Sequence, residues 1–270
     1  MKLTIAYSPC PNDTFIFDAM VNDKIDTEGL EFEVQLYDVE ALNIMAFDNK
    51  FDVTKLSYNA FLHLYKKYAL LNSGSALGEN CGPILISKQD KIKSFNTQSS
   101  VAIPGKYTMA NSLFSMAFPN NTNTKEILFS EIEDSVLKGD VDAGVIIHEN
   151  RFTYKEKGLG KVMDLGEYWK EQTQLPLPLG GIVVSKFLDS SIQKKIQRVL
   201  RRSIDFAFKF PKESYDYIKQ HAQEMDFDVI NSHIKLYVNE YSLALGDKGR
   251  EAVYYLFDRN GISKNDLEII

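Results

Sequence analysis

His148 directly follows the apolar run Ala143-Gly144-Val145-Ile146-Ile147, so the sequence places an imidazole at the mouth of a buried strand. Histidine is the side chain whose ordinary pKa suits proton transfer near neutral pH. A general base and a satisfied histidine at a strand end both fit this placement. The ends of parallel strands are where open α/β proteins bind ligands. The other three histidines offer less. His63 lies within a helical pattern, His221 ends one and His233 falls mid-helix, so all three read as structural or solvent-facing.

Three further turns carry polar residues just after a strand pattern. The run Ser8-Pro9-Cys10-Pro11-Asn12-Asp13-Thr14-Phe15 has two prolines in three residues, which stiffen the turn because each fixes φ and removes a donor. Asn12, Asp13 and Thr14 then stand where a helix beginning at Phe15 needs its N-cap. In Thr54-Lys55-Leu56-Ser57 the serine can cap the next helix, and in Pro104-Gly105-Lys106-Tyr107-Thr108 the threonine can do the same. Helix starts present unpaired N–H groups and partial positive charge, which suit a carboxylate, and Lys55 and Lys106 would add to it. Two such starts, one from each of two lobes, would clamp a carboxylate. Each signal is weak singly, because every helix has a start.

Other chemistries are not indicated. The two cysteines, Cys10 and Cys81, have no metal-ligand spacing, so a zinc site is not expected, and a disulfide between them is neither required nor forbidden. There is no phosphate-binding glycine loop, no dinucleotide fingerprint and no nucleophile elbow. Acids at Glu131, Glu133 and Asp134 suit a helix dipole better than a metal. The net charge of −6 argues against nucleic acid as a partner. No apolar stretch approaches the roughly 20 residues that span a bilayer. The first apolar run breaks at Ser8-Pro9, too soon for a signal-peptide core, so a cytoplasmic protein with reduced thiols is expected.

The elements that must position these residues alternate in the first part of the chain. Strand patterns cover Glu31 to Leu36, Asp52 to Lys55, Pro83 to Ser87, Val101 to Ile103 and Ala143 to Ile147. Helical patterns cover Val39 to Phe47, Ser57 to Lys67 and Thr108 to Phe118. This rhythm indicates an α/β fold. The last third reads as helical. Ile192, Ile196, Leu200 and Ile204 recur every fourth residue within Ser190 to Phe210. Further helical patterns run from Phe227 to Tyr241 and from Asp247 to Phe257, with Gly246 and Gly261 at helix ends. Gly82 to Ser87 and Leu179 to Val184 are extended, apolar and glycine-bearing. They read either as crossings between two lobes, residues 1–85 with 182–270 and residues 86–181, or as central strands of one sheet. The first alternative is the plan of a hinged, cleft-binding protein.

Several motifs together carry a resemblance. They are S-P-C-P-N-D-T-F at Ser8 to Phe15, T-K-L-S-Y at Thr54 to Tyr58, Pro104-Gly105 followed by Thr108, I-I-H-E-N-R-F-T-Y at Ile146 to Tyr154, and L-P-L-P-L-G-G at Leu175 to Gly181. In combination the chain resembles the 1,4-dihydroxy-6-naphthoate synthase family of the futalosine route to menaquinone, over nearly its whole length. The resemblance implies the two-lobed, type II periplasmic-binding-protein-like fold, used by a cytoplasmic carbon–carbon lyase. It implies cyclic dehypoxanthine futalosine, a small carboxylate, as substrate, with release of a dihydroxyacetone-type fragment and no metal or organic cofactor. The family's base falls on His148, and its substrate-contacting turns fall on Lys55, Leu56 and Ser57 and on Thr108 and Met109. Asn12, Asp13 and Thr14 are expected to shape the cleft from the other lobe.

Some members of that family have Thr-Thr where this chain has Thr108-Met109. A methionine offers no hydroxyl, so a contact at Met109 has to come from its backbone N–H. Three alternatives share the expected fold. A solute-binding protein would carry an export signal, chorismate dehydratase is not expected to show the octad with the histidine motif, and a regulatory module would need an added signalling domain. The sequence leaves a homodimer open.

Overall fold

The computed structural model describes residues 1–79, 81–148, 150–222 and 226–270. The chain divides into two compact units, Met1–Gly78 with Pro178–Ile270, and Glu79–Leu177.

The first unit opens with β1 (Lys2–Tyr7), α1 (Pro11–Val21), β2 (Glu31–Leu36), α2 (Val39–Ala46), β3 (Val53–Ser57), α3 (Tyr58–Leu64), β4 (Tyr68–Leu70) and β5 (Ala76–Gly78). The second holds β6 (Ile84–Lys88), β7 (Val101–Ile103), α4 (Met109–Ala117), β8 (Thr124–Glu126), α5 (Ile132–Lys138), β9 (Ala143–Ile146), α6 (Asn150–Thr153), β10 (Leu159–Asp164) and α7 (Leu165–Thr173). The chain then returns through β11 (Leu177–Ser185) to α8 (Ser190–Lys209), α9 (Tyr215–His221), α10 (Phe227–Tyr237), α11 (Glu240–Leu243) and α12 (Gly246–Arg259).

In the first sheet the strand order is β2-β1-β3-β11-β4, with β5 also paired to β11. β1 runs parallel to both β2 and β3, while β11 runs antiparallel to β3 and β4. The chain leaves β1 for β2 on one side and returns to β3 on the other. The carboxyl ends of β1 and β3 therefore flank a topological switch point, where such sheets form a crevice. The second sheet repeats the device. Its order is β10-β6-β9-β7-β8, and β7 lies parallel to both β8 and β9. The switch point there lies at the ends of β7 and β9. The two glycine-bearing segments thus belong to different sheets, β6 within the second unit and β11 within the first.

Burial follows the sequence pattern where that pattern is strong. Ile196, Leu200 and Ile204 of α8 are buried against Leu3, Ile5 and Tyr7 of β1, with Ile192 half-buried at the margin. α1 differs from an ordinary surface helix, because Pro11 through Met20 are all buried. It packs against α8, α9 and α10, and a helix covered on every side has no polar face to show. The second unit has its own core, from Ile84 and Ile86 through Ile132, Val136 and Ile146.

Several boundaries differ from the sequence reading. α1 begins at Pro11, not Phe15, because a proline at the first helical position loses no helical hydrogen bond. The helical pattern from Phe227 to Tyr241 is cut at Val238, after which Asn239 and Ser242 form a capping box that starts α11. Gly246 opens α12 instead of closing a helix. Among the described residues no helix is long and apolar enough to cross a membrane.

Candidate functional site

At the switch point of the first unit the opening octad forms a buried polar knot. Asp13 lies in the first turn of α1 and accepts four hydrogen bonds. Ser8 Oγ and Ser8 N donate to its Oδ2 at 2.7 and 3.3 Å. Asn12 Nδ2 and Lys55 Nζ donate to its Oδ1 at 2.7 and 3.0 Å. Lys55 comes from β3, and both partners of the ion pair are buried. Asn12 Oδ1 in turn meets His233 Nε2 of α10 at 2.8 Å. The Thr14 hydroxyl donates to the carbonyls of Cys10 and Pro11, inside its own helix. These three side chains are not caps. The N-cap of α1 is Cys10, with no side-chain cap bond.

Next to this knot β3 ends at Ser57. Its N–H donates to Asn43 Oδ1 at 3.0 Å, and Asn43 donates to Glu40 Oε2, so α2 fixes the turn. Ser57 takes the N-cap position of α3 without a side-chain cap bond. Its hydroxyl is buried and has no hydrogen-bond partner among the described residues. Leu56 is fully buried, backbone and side chain alike. β11 lies opposite, with Gly180 in register with Ser57 and Gly181 with Leu56. A Cβ on Gly180 would stand 2.8 Å from the Leu56 carbonyl oxygen and 3.0 Å from Lys55 Cε. Glycine there lets the lysine stem lie flat along the neighbouring strand.

At the switch point of the second unit β7 ends in Pro104-Gly105, and Thr108 caps α4. Thr108 Oγ1 accepts from Asn111 N at 3.2 Å and donates to Gly105 O at 2.8 Å. Gly105 has φ +148°, a conformation side-chain-bearing residues rarely take. Met109 is the first residue of α4 and is buried. The N–H groups of a first helical turn have no acceptor within the helix, so they can meet a ligand. Lys106 is exposed, with its ammonium 5.6 Å from the Tyr107 ring centroid.

Beside this turn His148 follows the end of β9. It adopts φ +61°, a left-handed conformation uncommon outside glycine and found disproportionately at functional sites. Its ring meets Phe129 edge-on at 5.6 Å, and its Nδ1 is buried. The following helix is tied down from two directions. Asn150 Nδ2 donates to Glu133 Oε2 at 2.6 Å, and Glu133 also pairs with Lys157. Arg151 donates to Gly82 O and to Asp164 Oδ2 at 2.6 and 2.7 Å. Glu149 of the same motif lies outside the described residues.

The structure thus brings Asn12, Asp13, Lys55 and Ser57 together, and separately sets Thr108, Met109 and His148 on neighbouring strand ends. Asp13 and Thr14 are fully buried, with their polar atoms engaged inside the protein. His233, Asn43, Glu133 and Arg151 were not singled out as functional by sequence reasoning. His233 is fully buried, the structural one of the two alternatives, and its partner lies 221 positions away, so no local pattern could show the bond. Glu133 is buried as a brace for Asn150 as well as standing in the first turn of α5. Trp169 is core, its Nε1 donating to Leu175 O and Pro176 O. Cys10 and Cys81 are free and buried.

A family model described as menaquinone biosynthesis matches residues 3–261. Two curated relatives are called 1,4-dihydroxy-6-naphthoate synthase. That of Thermus thermophilus is 40% identical over 255 residues, 94% of this chain and 92% of its own. That of Streptomyces coelicolor is 38% identical over 262 residues, 95% of this chain and 92% of its own. Among solved structures, a protein of Archaeoglobus fulgidus matches with a TM-score of 0.89 at 33% identity, covering 96% of this chain and 97% of that one. A Candida albicans protein, described as having the generic periplasmic binding protein fold, matches with a TM-score of 0.68 at 13% identity, covering 98% and 93%. This last likeness shows the fold alone.

Proposed function

This chain belongs to the menaquinone-biosynthesis family and forms 1,4-dihydroxy-6-naphthoate, and we propose that it does so from cyclic dehypoxanthine futalosine with His148 as the base. His148 Nε2, the ring nitrogen opposite the buried Nδ1, takes a proton from the sugar-derived part of the substrate. The electron pair left behind breaks a carbon–carbon bond, a dihydroxyacetone-type fragment departs, and aromatisation of the new ring drives the step. The observation that carries this reading is the position of His148, held in a left-handed conformation at the end of β9 beside the capped start of α4.

The binding roles follow from what each side chain has left to offer. Among the described residues the Lys55 ammonium has Asp13 as its partner, so donors remain for a substrate carboxylate. The buried Ser57 hydroxyl supplies a further donor. Thr108 fixes the first turn of α4, and Met109 contributes through its backbone N–H. Asn12, Asp13 and Thr14, whose polar atoms are engaged, hold this arrangement instead of touching substrate, and fully buried Leu56 belongs to the same framework. We place the reaction in the cytoplasm, a location that suits two free thiols.

The test is His148→Asn, compared with wild type in naphthoate formation followed by absorbance. The expected result is a fall in kcat of about 10²–10⁴-fold, the usual worth of a positioned general base. Near-normal turnover by a folded variant would sink the assignment.

A further inference from the structure

The polar knot of the first unit has an end that the proposed chemistry does not use. His233 is fully buried on α10, and its Nε2 lies 2.8 Å from Asn12 Oδ1. The direction of that bond is fixed by its neighbours. Asp13 is a carboxylate already bonded by Ser8 and Lys55, so it can only accept, and Asn12 has to present Nδ2 to it. Asn12 Oδ1 is thereby turned toward α10, and His233 Nε2 has to carry a proton and donate. The imidazole sets the Asn12 amide, the amide orients Asp13 Oδ1, and that oxygen receives the Lys55 ammonium at 3.0 Å.

We infer that His233 is a positioning residue for Lys55, acting through Asn12 and Asp13 so that the ammonium is aimed before substrate arrives. The inference rests on the reading of Lys55 as the holder of the substrate carboxylate. Its consequence is that α10, distant in sequence from the octad, sets the affinity of the β3 turn for an anionic substrate. A chain of bonds with one allowed direction has no alternative arrangement, which keeps a long, rotamer-rich lysine from wandering.

The experiment measures KM and kcat for cyclic dehypoxanthine futalosine, with thermal melting of each variant alongside. His233→Asn replaces the imidazole with a polar amide that ends short of the Nε2 position. It is expected to raise KM about tenfold with kcat little changed, the order of one lost hydrogen bond to a charged group. His233→Gln, whose amide nitrogen reaches the Nε2 position, recovers most of that loss. In a Lys55→Met background His233→Asn adds no further rise, because both act through one ammonium. A His233→Asn protein that melts earlier yet keeps the wild-type KM overturns the inference, since a packing role alone predicts that pattern. If His233→Asn does not fold, Asn12→Ser breaks the same link from its other end, and a wild-type KM there overturns it equally. If folded Lys55→Met itself keeps the wild-type KM, the reading of Lys55 fails, a result distinct from the other two.

Discussion

Lys55 Nζ donates to Asp13 Oδ1 at 3.0 Å, with side chains 6% and 1% exposed, and this pair ties the end of β3 to the first turn of α1. Its Coulombic attraction is offset by the cost of taking two charges out of water, so the pair is not itself a large source of stability. Removing one partner is a different matter. Asp13→Ala leaves a buried ammonium without its counter-charge, and Ser8 and Asn12 lose their acceptor. A loss of about 3–5 kcal/mol is expected, read as a lower urea midpoint with an unchanged slope. A midpoint equal to wild type would show that the ammonium finds another partner.

Ser57→Ala separates binding from folding. The hydroxyl is buried without a partner among the described residues, so the folded protein already bears the cost of desolvating it. Deleting it is expected to leave the urea midpoint unchanged or slightly raised. If the hydroxyl meets substrate, the same change raises KM about tenfold. Lower stability with an unchanged KM would mark Ser57 as structural.

Gly180→Ala tests the close approach of β11 to β3. The added Cβ would meet the Leu56 carbonyl oxygen at 2.8 Å, and backbone cannot swing aside as a side-chain end can. The strands have to part or shift, at about 1–3 kcal/mol. Because Lys55 Cε lies 3.0 Å from the same point, KM is expected to rise along with the loss of stability. Wild-type values of both would show that the sheet absorbs a methyl group here.

The parts legible in the sequence are those set by local chemistry. The strands Glu31–Leu36 and Val101–Ile103 show in their apolar patterning, and the buried stripe of α8 in its fourfold spacing. Thr108 caps α4 because a threonine after a glycine turn satisfies its own neighbourhood. The octad was distinctive in sequence, yet its side chains misled as caps. Pro11 enters the helix, and Asn12 and Asp13 spend their hydrogen bonds on α10 and β3, which no window of adjacent residues contains. Lys106 stands exposed beside its own neighbour Tyr107, a placement that charge near a helix start does not by itself fix.

The alkaline limb of stability follows from groups kept neutral in the folded state. Burial pushes the Cys81 thiol from its ordinary 9.0 to about 12. Burial, with Asp52 nearby, pushes the Tyr68 phenol from 10.0 to about 12. Tyr7 and Tyr58 are raised as well, chiefly by burial. In the unfolded chain these groups lose protons at their ordinary values while the folded chain still holds them. The folded state therefore binds more protons, and stability falls as pH rises. The contribution of Cys81 and Tyr68 is complete below about pH 9 and is lost between about pH 9 and 12, and that of Tyr7 and Tyr58 goes on falling above that range. Urea midpoints at pH 8 and pH 11 read this out. Tyr68→Phe is the specific control, because the Tyr68 hydroxyl has no hydrogen-bond partner among the described residues and its loss leaves no orphaned acceptor. The variant is expected to match or exceed wild-type stability at pH 8 and to lose less on going to pH 11. An equal loss in both proteins would remove Tyr68 from the account and leave Cys81, Tyr7 and Tyr58 to carry it.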